Sequence, residues 1–149
     1  MKIIVDANIV FSGILNTQGK IGHLLINSDN SIKFIAPDFL RTEIIKHHSK
    51  MLKISKMNIE QVKESEYLIL KNINFISEVQ IKDTSWEKAF QLVKDIDPND
   101  TPYVAYAKQF RCKIWTGDKK LIKGLIKKGF TQVITTDELF EWRQSKLAK

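Results

Sequence analysis

Four short runs dominated by apolar residues, at 2–5, 32–36, 112–116 and 132–135, recur along the chain with helix-length amphipathic stretches between them. That alternation leaves few architectures open. A brief apolar run without polar alternation is how a strand buried on both faces reads. Such strands pair in parallel, because the intervening helices return the chain to the same end of the sheet and cover both its faces. The predicted fold class is therefore α/β with a central parallel sheet. At 149 residues, 43% hydrophobic and 28% charged, the chain has the size and balance of one compact domain over 1–149, without repeat, linker or low-complexity tract.

Local signals place the elements. A helix starts around Gly19, with Ile21, Leu24 and Leu25 on one face, and the polar cluster at 27–31 ends it. Pro37 closes the second strand, and Asp38 reads as the cap of a helix through Leu40, Ile44 and Ile45 to His47 and His48. Asn58 with Gln61 caps a stripe of Ile59, Val62, Ile69 and Ile73, and Thr84 with Glu87 reads as a capping box before Trp86, Ala89, Phe90 and Val93. Residues 75–79 suit a strand or a loop. The turn DPNDTP at 97–102 launches another helix, since Pro is tolerated in a first helical turn. Asp118 can cap the helix bearing Leu121, Ile122, Leu125 and Ile126, Gly129 stops it, and Thr135 with Glu138 opens a last helix.

Composition narrows the function classes. The net charge of +7 suits an anionic partner such as nucleic acid. Yet 21 of the 24 basic residues are Lys, and only Arg41, Arg111 and Arg143 carry the planar fork that grips phosphate bidentately, so a solvated lysine surface explains the charge equally well. The single cysteine, Cys112, excludes an internal disulfide and a cysteine metal cluster, and reads as a buried small hydrophobe in a reducing compartment, which predicts the cytoplasm. No stretch reads as a membrane span or signal peptide. Residues 13–20 resemble a phosphate loop, but the glycine spacing is wrong and Ile21 stands where Ser or Thr is needed.

In an open parallel sheet, ligands bind beyond the carboxyl ends of the strands. Asp6 follows the first strand and Asp118 follows the strand at 112–116, each with a polar companion, Asn8 and Thr116. Asp100 opens a helix, and Glu43 lies on the helix after the second strand. If these ends converge, four carboxylates share one crevice, and two of them about 4 Å apart repel by roughly 4 kcal/mol. An oxygen-only set without sulfur selects Mg²⁺ or Mn²⁺ over Zn²⁺, and such ions suit phosphodiester hydrolysis. Asp97 competes with Asp100 for a place in the set. Lys119 and Lys120 beside Asp118 are candidate contacts to an RNA backbone, and His47 and His48 diverge too far on a helix to share a metal. Tyr103 and Tyr106 are three residues apart, a spacing that suits core or dimer packing better than base stacking.

The segments VDAN at 5–8, the Glu43 helix, DPNDTPYVAYA at 97–107 and WTGDKKL at 115–121 occur in an order that resembles the PIN domain, the nuclease domain of VapC-type toxins of toxin-antitoxin systems. The resemblance implies a three-layer α/β/α sandwich and a Mg²⁺- or Mn²⁺-dependent endoribonuclease. It also implies a homodimer and, for toxins, inhibition by a cognate antitoxin. It assigns Asp6, Glu43, Asp100 and Asp118 to the acidic positions and Asn8 and Thr116 to the supporting ones.

Two rival readings stand beside it. One is a non-catalytic PIN-like module that binds RNA or a partner. The other is a phosphatase with Asp6 as nucleophile, which normally wants a second acid where this chain has Asn8.

Overall fold

The computed structural model describes residues 1–147. Strands β1 (Lys2–Val5), β2 (Lys33–Pro37), β3 (Ile73–Ile76), β4 (Lys113–Trp115) and β5 (Val133–Ile134) form one sheet in the order β3-β2-β1-β4-β5. Every pairing is parallel. Helices α1 (Ala7–Leu15), α2 (Lys20–Asn27), α3 (Leu40–Lys46), α4 (His48–Ile54), α5 (Ile59–Leu70), α6 (Asp83–Val93), α7 (Thr101–Phe110), α8 (Lys119–Lys127) and α9 (Thr136–Leu147) make up the connections and the carboxyl-terminal end.

The two-residue alternation of the strands sorts the core into two layers. Ile3, Val5, Phe34, Ala36 and Trp115 face Val10 and Ile14 of α1, Leu24 and Leu25 of α2, Val62 and Ile69 of α5 and Leu139 of α9. Ile4, Ile35 and Ile114 point the other way, against Ala89 and Val93 of α6, Val104 and Tyr106 of α7 and Leu121 and Leu125 of α8. Each fully buried Ile or Leu here contributes roughly 1.5–3 kcal/mol of transfer free energy. The architecture is the expected α/β/α sandwich around a parallel sheet. No described helix is long and apolar enough to cross a membrane.

Several local expectations need correction. Residues 7–15, to which the sequence reading assigns no element, form α1, which buries Ile9, Val10, Gly13 and Ile14 on one face and leaves Asn8 and Ser12 exposed on the other. Asp38 does not cap α3: Phe39 occupies that position, and Asp38 pairs loosely with Arg41 at 3.8 Å. The supposed box at Thr84 and Glu87 lies inside α6, whose cap is Lys82. Helix α5 ends at Leu70, so Ile73 opens β3 rather than closing a helical stripe. The boxes at Asn58–Gln61 and Thr135–Glu138 do form, with both reciprocal hydrogen bonds in each. Gly129 ends α8 with φ +86°, a conformation other residues rarely adopt.

Candidate active site at the carboxyl edge of the sheet

Strand β1 is followed by β2 on one side, while β4 lies on its other side, so the crevice between β1 and β4 is the switch point of the topology. Val5 pairs with Trp115, which brings the next residues, Asp6 and Thr116, together at the carboxyl edge. Asp6 is only 5% exposed and Thr116 is fully buried. Asp6 caps α1, its Oδ1 accepting from the Ile9 N–H at 2.9 Å. Asp118 caps α8 in the same manner, from the Leu121 N–H at 3.1 Å. Thr116 joins them: its Oγ1 accepts from the Asp118 N–H at 3.1 Å, and its hydroxyl proton hydrogen-bonds Asp6. Burial, and secondarily the Asp118 charge, push the Asp6 carboxyl above the usual carboxylate range, against the pull of Thr116 and the Ile9 and Asn8 amides.

Beside this pair opens a groove of about 790 Å³, on whose wall lie Asn8, Glu43 and Asp100. Asp100 is the last residue of a tight 3₁₀ turn, Pro98–Asp100, and precedes α7 without capping it. Its carboxyl pKa is pushed up to about 7, through burial first and then the charges of Asp97, Asp6 and Asp118. Asp97 spends its carboxylate on the turn, accepting from the Asn99 N–H at 3.0 Å, and does not line the groove. Glu43 is half-buried on α3 and pairs with Lys46 at 3.7 Å. Tyr103 lies among these acids. Burial and the charges of Asp6, Asp100 and Glu43 drive its phenol to a higher pKa, so it stays a proton donor at neutral pH.

The described ion pairs are Lys20–Asp137, Arg41–Asp38, Lys46–Glu43, His48–Glu66 and Lys128–Asp95; none includes Asp6, Asp100 or Asp118. The Asp118 charge thus bears on Asp6, and both bear on Asp100, without a described protein cation to offset them. An all-oxygen set with that imbalance fits a hard divalent cation in chemistry and charge. Among the described residues, however, no three His, Cys, Asp or Glu side chains already close around a common point.

The remaining residues are distributed as follows. Lys119 and Lys120 are exposed at the start of α8; neither lines the acidic groove, and Lys120 borders a separate shallow hollow with Asp95 and Ile96. His47 lines the groove, and its Nδ1 donates to the Glu43 carbonyl at 2.7 Å, whereas His48 turns away to Glu66. Cys112 is buried, which pushes its thiol up to about 11. The sequence assigns no groove role to Phe11, Phe39, Trp86 or Asn99, which line the groove, and favours core or dimer packing for Tyr103, which lines it too. The available signal is proximity to the quoted acids for some of them, Tyr103 three residues after Asp100 and Phe39 four before Glu43, whereas Trp86 neighbours none.

Comparison with known proteins adds family and fold. No curated protein matches the sequence. Among solved structures, a chain of the VapBC2 crystal structure from Rickettsia felis, bound to a DNA fragment from their promoter, superposes with a TM-score of 0.65. The match covers 91% of this chain and 98% of that one at 15% identity, so it speaks to the fold. The profile of the PIN domain matches residues 4–140, nearly the whole length, and by that match the chain belongs to the PIN domain family.

Proposed function

We propose that this chain is a metal-dependent endoribonuclease of the VapC type, the toxin of a toxin-antitoxin pair. The observation that carries the reading is the placement of Asp6, Asp100 and Asp118 at the topological switch point, where the Asp118 charge acts on Asp6 and both act on Asp100, with no ion pair among the described residues to quench them. Asp6, Asp100 and Asp118 would hold Mg²⁺ or Mn²⁺, with Glu43 as a further ligand or as the group that orients water. The bound cation supplies charge neutralisation on the phosphodiester and a more acidic water.

The chain's own residues do the rest. Thr116 fixes Asp6 relative to Asp118, and the helix-cap bonds to Ile9 and Leu121 hold one oxygen of each acid in place. Asp97 supports the site by raising the proton affinity of Asp100 and shaping its turn. Asn8 and Tyr103 offer hydrogen bonds to a phosphate held in the groove. Lys119 and Lys120 are assigned to the strand's approach along α8. Water attack in line with the leaving oxygen leaves a 5′-phosphate and a 3′-hydroxyl. A cytoplasmic homodimer inhibited by an antitoxin completes the reading, and the VapBC2 fold match supports that partnership.

Incubation of RNA with the purified chain and Mn²⁺ tests this. Cleavage is expected, and EDTA or Asp6→Asn should remove it; cleavage by Asp6→Asn at the wild-type rate would overturn the assignment. The second reading, a non-catalytic module that binds RNA or a partner, predicts binding with no cleavage in any divalent ion. The phosphatase reading needs a reachable nucleophile, and Asp6 is 5% exposed with one oxygen on a main-chain amide.

A further inference from the structure

A second cavity of about 300 Å³ lies directly beside the acidic groove and shares Asn8, Phe11 and His47 with it as a common wall. Phe11 and His47 stack in a tilted arrangement, ring centroids 5.0 Å apart, and the bond from His47 Nδ1 to the Glu43 carbonyl fixes the imidazole. Beyond that wall the lining turns apolar, with Leu15, Met51 and Ile54, and Lys50 stands at the rim. The segment 44–59, which contains α4, carries Lys46, Lys50, Lys53 and Lys56 and no Asp or Glu. All four lysines are exposed. An acidic groove therefore opens onto an aromatic partition, then an apolar pocket, then a basic helix.

We propose that this second pocket, between α1 and α4, seats an unpaired nucleobase of the RNA strand whose phosphodiester lies in the acidic groove, with Lys50 taking an adjacent phosphate. The inference rests on the nuclease reading for the position of the strand. Three features favour RNA over an acidic peptide. The pocket is continuous with the groove, its wall offers aromatic faces for stacking, and Asn8 offers an amide for base edges. A paired base could not reach it, because a base must leave its stack to enter a pocket. The pocket is thus a specificity element, separate from the acids that perform hydrolysis.

The experiment measures binding without turnover: the full chain in EDTA, titrated into a fluorescently labelled mixed-sequence single-stranded RNA, read by anisotropy. Phe11→Leu, which keeps an apolar side chain against the core, should weaken binding roughly tenfold through lost stacking. Lys50→Ala, at an exposed position, should weaken it and reduce the salt slope by about one. Exposed Lys88 on α6 lies on the other face of the sheet, and Lys88→Ala should bind as wild type. A duplex of equal length should bind more weakly and ignore Phe11→Leu. Wild-type affinity and salt slope in Lys50→Ala, or equal single-strand affinity in a folded Phe11→Leu, would overturn the seat. So would an acidic peptide that binds this pocket where RNA does not. If Mn²⁺ cleavage is present and both variants bind as wild type, the seat falls and the nuclease reading stands. If cleavage never appears but both variants bind as expected, the seat stands and the hydrolytic reading falls.

Discussion

Two regions of this molecule bury a charge, and they resolve it in opposite ways. At the far end of α9, Arg143 is 1% exposed. It donates to the His23 carbonyl at 3.3 Å, to Ser28 Oγ at 3.4 Å and to His23 Nδ1 at 2.8 Å, and its guanidinium lies 5.3 Å from the Phe140 ring. Only Nε is left without a partner. The charge that acts on it is the opposite one of Asp29, and neutral acceptors satisfy most of the donors. At the carboxyl edge of the sheet, Asp6 is nearly as buried, but its neighbours include Asp118 and Asp100, and an open groove lies alongside. A buried charge that its surroundings solvate is a staple between helices. Like charges left facing one another beside an opening are a binding site for the opposite charge.

The comparison breaks most sharply at Asp118. Asp118→Asn keeps the helix cap, since Asn caps as well as Asp, but removes one charge from the set. Mn²⁺-dependent RNA cleavage should fall roughly 10³-fold, the order of loss when one electrostatic contact to a transition state is deleted, with an unchanged circular dichroism spectrum. Retained cleavage would place Asp118 with the staples. Arg143→Ala should do the reverse. It leaves a cavity and unpaired acceptors on His23 and Ser28, which costs about 3 kcal/mol in denaturant unfolding, while cleavage per folded molecule stays at the wild-type level. Thr116→Val falls between the two. It preserves shape but removes the donor to Asp6 and the acceptor for the Asp118 N–H, for a loss of about 1–2 kcal/mol. It should also raise the Mn²⁺ concentration needed for half-maximal cleavage; an unchanged requirement would deny Thr116 any part in positioning the acids.

The layer order, the parallel sheet and the acids just beyond β1 and β4 are legible in the sequence, because buried strands announce themselves as apolar runs and a carboxylate after such a run has few structural uses. Helix α1 is harder to read, since its outward face carries Phe11 and Leu15 beside Asn8 and Ser12, so the contrast between its two faces is weak in the sequence. Strand β3 is hidden for a related reason. It lies at the sheet edge with only Ile73 fully buried, so its apolar signal is diluted by half-exposed positions. The caps at Asp38 and Thr84 are decided by the register of the chain against the sheet, which local spacing does not encode. Among the acids, the sequence ranks Asp97 below Asp100 only because Asp100 sits at the helix start. The hydrogen bond from Asn99 to Asp97 separates them, because it commits one carboxylate to the turn and leaves the other on the groove wall.

The smallest expected effect tests the acids without any substrate. Asp100 has a folded pKa of about 7 against an ordinary value of 3.8. Between those values the native state binds more protons than the unfolded chain, so stability falls as pH rises through the window from about 4 to 7, and the full penalty is present above it. Asp100→Asn removes that ionisation. In EDTA the variant should therefore melt a few degrees above wild type at pH 8, and the advantage should fade as pH falls from 7 toward 4. Mn²⁺ must reverse the order, because the cation rewards the ionised set that the variant lacks: at pH 8 it should raise the wild-type melting temperature more than that of Asp100→Asn. Melting curves at pH 5 and pH 8, with and without Mn²⁺, separate these cases. Parallel pH profiles in EDTA would mean that Asp100 is solvated like any surface acid, and the contrast with Arg143 would then rest on Asp6 and Asp118 alone.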